Sequence, residues 1–447
     1  MSSNSRGASH DLRWDWDPRD EQIQHNQSAA YDDLRERCPV ARSEALGWSL
    51  TRHDDVVEAV TDDATFSSSV SVHVAVPNGM DAPEHTAFRA VVDRSFTPDL
   101  VQAFTPTLQE IAADQLSAAL RADGEIEVMS AIAEPFAARA QCAYLGWPRT
   151  VAQALQDWAH ESATATRARD RAQLNKVAEQ FDRIIVEMLD QQRAAGPHGP
   201  STIVAQLLEE QIDGKPLSDS QLVSIVRNWT AGELGTIAAA VGIIIEFLAR
   251  RPDMLEMLRT RPEVRQAAMD EMLRLEAPLI ANRRRTTRSV TMRGRTIEAD
   301  APVTVLWAAA QRDPRVFEDP AEFRLDRDPN DNLLYGRGPH YCPGEGLSRL
   351  ELGVLLDELL DQRLRHVERE GAQARPHPRH GPLELADLAD PGGGDNRQLQ
   401  IEATHGLGLG GEADQRSGEE TGDQPEQGQA GGQDQERDQR RAPRGLG

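Results

Sequence analysis

The residue with the clearest chemical potential is Cys342, in "YGRGPHYCPGEGLSRLEL" at 335–352. Gly336, Gly338, Gly344 and Gly346 surround it, and a leucine-rich helical pattern follows directly. As a structural zinc ligand it lacks partners, because no Cys-x-x-Cys pair or clustered His accompanies it. As an inert buried thiol it has no need of the glycines. As a phosphate loop the stretch lacks the Lys-Ser/Thr that would follow. A single axial thiolate on a haem iron needs what stands here. Backbone N–H groups and a helix N-terminus favour the charged sulfur. Glycines let the backbone approach the sulfur and a flat macrocycle closely.

The same stretch resembles the haem-binding signature of the cytochrome P-450 family, Phe-Gly-x-Gly-x-His-x-Cys-x-Gly-x-x-Leu-Ala-Arg. Gly336, Gly338, His340, Cys342, Gly344, Leu347 and Arg349 match it, while Tyr335 replaces the Phe and Ser348 the Ala. The resemblance implies haem b (iron protoporphyrin IX), with Cys342 as its axial metal ligand. It also implies that "EMLRLEAP", with Glu271 and Arg274 one helical turn apart, ties to Arg327 in "DPRVFEDPAEFRLDRDPND" as a structural trio. In "APEHTAFRAVVDRSFTP" it assigns His85 and Arg89 to a haem propionate, since both lie on one helix face and charge-assisted bonds to carboxylates are strong. In "NRRRTTRSVTMRG" it assigns Arg284 to a propionate, with Arg283 and Arg285 as off-by-one alternatives, and His340 joins this set. The loop "PNGMD" and Leu279-Ile280 are expected to wall the substrate.

The match fails in "NWTAGELGTIAAA", where the family helix over the distal face of the haem carries an acid followed by Thr. Aligning Ala231-Gly232, which are expected to face the haem along with Trp229, puts Leu234 at the acid position and Gly235 at the threonine position. Glu233 and Thr236 are each displaced by one residue, about 100° around a helix. Three consequences stay open for the catalytic set Glu233, Gly235 and Thr236. A substrate hydroxyl or water relays protons; a π-bulge brings Glu233 or Thr236 inward; or the chemistry is not ordinary hydroxylation but oxidative coupling or a peroxide-driven reaction. A haem protein without turnover is the rival from another class.

Long helices must carry these residues. "DLVQAFTPTLQEIAADQLSAALRA" and "RAQLNKVAEQFDRIIVEMLDQQRAA" are amphipathic. A longer helix starts near Ser218 or Asp219, both good N-caps, and runs to about Arg250, before Pro252. Short β patterns follow in "RSVTMRG", "RTIEA" and "PVTVLWA". The expected architecture is mainly α with small β-sheets, the cytochrome P-450 fold.

Residues 1–24 read as a flexible lead-in and 25–370 as the haem domain. Residues 371–447 read as a disordered low-complexity tail, rich in Gly, Gln, Asp, Glu, Arg and Pro and with too little apolar area to offset ordering. The tail also has the composition of a GC-rich gene read out of frame, which intact-mass measurement and resequencing would settle. The 447 residues carry a net charge of −24, which argues against nucleic acid as a partner. Three well-separated cysteines point to a reducing, cytoplasmic setting. The apolar run "TIAAAVGIIIEFLA" is interrupted by Glu246 and shorter than the ~20 residues of a membrane span, so no membrane partner is expected. The overall expectation is a bacterial monomer that oxidises a small organic substrate with O2, fed electrons by a ferredoxin and ferredoxin reductase.

Overall fold

A computed structural model of the chain describes residues 14–71, 74–120, 126–168, 170–196 and 201–372, with side chains up to residue 361. The expected 371–447 tail therefore lies outside the described residues, apart from its first two positions. In chain order the helices are α1 Glu21–His25, α2 Gln27–Arg37, α3 His53–Thr61, α4 Glu84–Arg94, α5 Pro98–Ala119, α6 Glu134–Leu145 and α7 Val151–Ala168. There follow α8 Arg171–Ala195, α9 Ile203–Leu208, α10 Asp219–Ala249, α11 Pro252–Thr260, α12 Arg265–Glu276, α13 Trp307–Ala310 and α14 Glu345–Ala372.

Five strands make one mixed sheet in the order β1 Val40–Ser43, β2 Gly47–Leu50, β9 Pro302–Leu306, β6 Ala281–Thr286 and β3 Phe66–Ser67. β2 runs parallel to β9 and the other neighbours are antiparallel. β4 Gln211–Ile212 with β5 Lys215–Pro216, and β7 Val290–Met292 with β8 Arg295–Ile297, are two small hairpins. Helices with small sheets are the architecture the sequence led us to expect.

The central helix α10 begins where its N-cap predicts. Ser218 accepts from the Gln221 N–H while the Gln221 side chain reaches back to the Ser218 N–H, a reciprocal cap that satisfies two donors otherwise left free at a helix start. Its length and apolarity would suffice to cross a membrane. Yet Leu222, Ile225, Val226, Ile237, Val241 and Leu248 are buried against the other helices of the main core. It is a core helix.

Residues 14–24 do not form the flexible lead-in expected of them. Trp16 stacks edge-on against Tyr31 at 6.2 Å and packs with Leu34, Leu46, Ile280 and Leu306. Asp15 pairs with Arg295 at 2.5 Å. A buried indole outweighs the polar composition around it, which is what misled the sequence reading. The first 13 residues lie outside the described set.

Candidate haem-thiolate site

The Cys342 loop is shaped by its glycines. Gly336 and Gly338 have φ of +72° and +76°, the left-handed region that favours glycine. A Cβ on Gly338 would also collide with the Val60 carbonyl oxygen, so the loop can press against the end of α3 only with glycine there. The Cys342 N–H donates to Tyr335 O at 2.9 Å, closing the loop, and α14 starts three residues later. Gly344 differs: a Cβ there would meet Phe96 and the Cys342 sulfur at ordinary contact distances, 3.8 and 3.9 Å. Burial pushes the Cys342 thiol up to about 11, opposed by the Gly344 N–H, which favours the thiolate.

The thiol opens on a cavity of about 1230 Å³. Cys342, Gly344, Tyr335, His340, His85, Arg89 and Arg284 line it, as do Trp229, Ala231, Gly232, Glu233, Gly235 and Thr236 of α10. The cavity therefore brings together the cysteine, the residues assigned to the propionates and the α10 residues singled out from the sequence.

One side of the cavity gathers positive charge. The rings of His85 and His340 lie 4.1 Å apart, and Arg89 donates to Pro339 O at 3.0 Å. Arg284 is buried, and among the described residues no carboxylate pairs with it; its bond is to Arg283 O at 2.8 Å. Burial lowers it to about 10, with Asp81 opposing. The buried Nε2 of His85 has no hydrogen-bond partner among the described residues. His340 is pushed down to about 3, first by burial and then by Arg284, His85 and Arg89; Ser68 Oγ lies 2.9 Å from its Nε2. Of the three neighbouring arginines, Arg285 pairs with Asp300 at 2.8 Å outside the cavity, whereas Arg283 and Arg284 both line it. A buried, uncompensated guanidinium is expensive, and an anion at the cavity edge would offset it.

The trio behind the loop is formed. Arg274 Nε is 2.7 Å and Arg327 Nε 2.8 Å from Glu271, whose carboxylate is 5% exposed. Both guanidinium groups also lie over the Phe317 ring, at 4.9 and 5.8 Å. Arg274 donates to the carbonyls of Gln311 and Pro320 as well, linking α12 to the segment that leads into the cysteine loop.

On the opposite side α10 runs unbroken, so the bulge considered from the sequence is not formed among the described residues; the π-helical turn lies elsewhere, at Met129–Ala133. Glu233, Gly235 and Thr236 reach the cavity without it. The Thr236 hydroxyl donates to the Gly232 carbonyl one turn back. Pro77, Asn78, Gly79 and Leu279 line the cavity, but Met80 and Asp81 of the same expected loop do not, and Ile280 turns away into the core with Trp16 and Tyr31.

One residue at this site escaped the sequence reading. Glu351 on α14 is fully buried, and its carboxyl meets that of Glu233. The signal was present: Leu347, Glu351, Leu355 and Leu359 repeat every four residues, an acid within an otherwise apolar stripe.

A cysteine below a large cavity with basic groups at its edge defines a haem-thiolate type of site, and the comparisons agree. Residues 160–380 match the family model described as Cytochrome P450. The chain is 28% identical over 388 residues to "Cyclomarin C epoxidase CymV" of Salinispora arenicola, covering 83% of this chain and 95% of that one. It is 28% identical over 350 residues to "Mycinamicin IV hydroxylase/epoxidase" of Micromonospora griseorubida, covering 74% and 87%. The fold matches the Bacillus subtilis bacillaene polyketide synthase cytochrome P450 PksS with a TM-score of 0.71 over 78% of this chain and 92% of that one, at 24% identity. The chain belongs to the cytochrome P450 family, and as such is an oxidoreductase that incorporates oxygen with the aid of a haem cofactor.

Proposed function

We propose that this chain is a monooxygenase that binds haem b between α10 and the Cys342 loop and oxidises a small organic molecule. The observation that carries this reading is one cysteine facing a cavity of about 1230 Å³ beside a buried, carboxylate-free Arg284. Cys342 would hold the iron, with the Gly344 N–H supporting the thiolate. Arg284, Arg89, His85 and His340 would hold the propionates: the guanidinium groups supply charge and the unpartnered His85 Nε2 supplies a free hydrogen-bonding atom. When bound, the haem supplies dioxygen activation, and a thiolate ligand favours O–O cleavage.

The protein's own part is positioning and proton supply. Trp229, Ala231 and Leu279 give the cavity an apolar wall that excludes water and orients a substrate by shape. Leu234 and Gly235 place neither an acid nor an alcohol at the two positions where the family carries them. Thr236 already spends its hydroxyl proton on the Gly232 carbonyl. Glu233 is the cavity-lining acid on this face of α10.

The substrate class suggested by the names of the relatives is a bulky natural product, oxidised by epoxidation or hydroxylation. Electrons would come from a separate ferredoxin and its reductase in the cytoplasm, with the enzyme working as a monomer. The lack of an alcohol at Gly235 favours a second reading, haem-thiolate chemistry of the coupling or peroxide-driven kind. The test is reduction with dithionite under carbon monoxide, then turnover with surrogate ferredoxin or peroxide over a substrate panel. The expected result is a thiolate-type carbonyl spectrum that Cys342→Ala abolishes. A colourless protein that refuses added hemin would sink the proposal.

A further inference from the structure

Glu233 and Glu351 form a buried carboxyl pair that the haem site itself does not require. Glu233 sits on α10 and lines the cavity; Glu351 sits on α14, is fully buried and lies behind it. Among the described residues, neither oxygen of Glu351 nor the buried Oε1 of Glu233 has a donor from any N–H or hydroxyl. Among the described residues no arginine, lysine or histidine pairs with either of them. The nearby titratable groups are Tyr144 of α6 and Cys342 of the loop. Tyr144 is unavailable, because its hydroxyl donates to Ser95 O at 2.7 Å. Each carboxyl therefore has the other as its partner.

Two carboxylates cannot satisfy one another, since both only accept. One must carry a proton, and like charges in so dry a place would repel strongly. Burial raises both groups, and the hydrogen bond from Glu351 favours the ionised form of Glu233. Glu233 lines the cavity and Glu351 does not, so the cavity-facing acid is the one that can let go.

We propose that Glu233 and Glu351 act as a two-residue proton store for the cavity, resting on the haem-thiolate reading above. Glu233 releases its proton to water or substrate in the cavity and becomes a carboxylate. The Glu351 hydroxyl, still protonated, donates to that carboxylate and spreads its charge. A proton relayed from bulk solvent through cavity water then returns to Glu233, so the pair is restored and the net transfer is one proton from solvent to the acceptor in the cavity. Glu233 is the donor and Glu351 its positioning residue. The pair supplies from a different face of α10 what Leu234 and Gly235 lack.

The test uses infrared spectra of the haem-loaded full-length protein, in ordinary water and after transfer to deuterium oxide. Expected at neutral pH is the C=O stretch of a protonated carboxylic acid, shifting promptly in deuterium oxide because the cavity reaches it. In Glu351→Gln the remaining band belongs to Glu233 alone and in Glu233→Gln to Glu351 alone, so each variant should lose part of the wild-type intensity and shift what is left. A wild-type band that is absent, that resists exchange, or that both variants leave unchanged overturns the proposal. The carbonyl spectrum is read on the same samples. A thiolate-type spectrum without the acid band defeats the proton store alone, whereas a missing thiolate-type spectrum defeats the haem reading and the proton store with it.

Discussion

Two groups of buried charge flank the same loop and are built on opposite principles. Behind it, Glu271 is gripped by Arg274 and Arg327, with Phe317 beneath both cations and backbone carbonyls taking the remaining donors. Towards the cavity, Glu233 faces Glu351, and among the described residues no cation stands between them. The first group is fully compensated and holds three segments together. The second is left frustrated, and so is Arg284 at the cavity edge. Buried charge that is paired serves the scaffold; buried charge that is unpaired marks places where a ligand or a moving proton is expected.

The sharpest way to break this contrast is to remove one partner from the compensated side. Glu271→Ala leaves two guanidinium groups buried without their anion. Breaking a buried pair in this way costs about 3–5 kcal/mol, so the variant should unfold at much lower denaturant and retain little haem. A loss below about 1 kcal/mol in equilibrium melts, within the range of a surface ion pair, would remove the trio from the scaffold.

A smaller effect, with opposite signs in two measurements, is expected at Arg284. Arg284→Ala removes an uncompensated buried cation, so the haem-free protein should become more stable. The loaded protein should lose haem faster, by roughly 10- to 100-fold, the worth of one or two hydrogen bonds to a charged group. Transfer of haem to an excess of a scavenging apoprotein measures the second quantity, and thermal melts the first. If both move together, Arg284 is a packing residue rather than an anion site.

The legibility of the two regions from sequence differs for the same physical reason. The trio and the cysteine loop sit at fixed local spacings, Glu271 and Arg274 one turn apart and seven residues of the loop in register, so sequence alone carried them. The start of α10 was legible because Ser218 and Gln221 cap each other locally. The Glu233–Glu351 pair joins helices 118 positions apart in the chain; no local spacing encodes it, and only the acid in an apolar stripe hinted at it. Trp16 was hidden in a polar segment, and Leu279 and Ile280 stand in the irregular stretch just before β6, where no period tells which of two adjacent apolar residues faces the cavity.

The carboxyl pair also carries a pH signature. Both acids have folded-state pKa values raised above the ordinary carboxylate range by burial. Such groups contribute stability that is fully present below the unfolded value, about 4.3, and is lost as pH rises, because the unfolded chain ionises first and the folded one lags. Glu351→Leu abolishes that handicap. Its stability relative to the parent should therefore grow as pH rises above the ordinary carboxylate range, reaching about 1–4 kcal/mol as for other buried charged groups exchanged for apolar ones. A difference between variant and parent that stays flat as pH rises would mean the pair is ionised or hydrated in the fold.

The smallest effect is expected where the sequence departs most visibly from its family, at Gly235. Gly235→Thr should change stability little: threonine is a somewhat better helix residue than glycine, by about 0.4 kcal/mol. The new hydroxyl has a ready partner in the carbonyl of Ala231 one turn back, as Thr236 has in Gly232. An alcohol committed in that way adds no proton that the carboxyl pair does not already provide, and its methyl group narrows the cavity. Product formed per electron pair consumed should therefore stay level or fall slightly in Gly235→Thr. A large rise instead would show that the alcohol had simply been missing and that the carboxyl pair is a buried structural oddity. Running the same substitution in a Glu233→Gln background sharpens the choice. If the pair is the working store, the alcohol should help there and only there, so the two changes would fail to add.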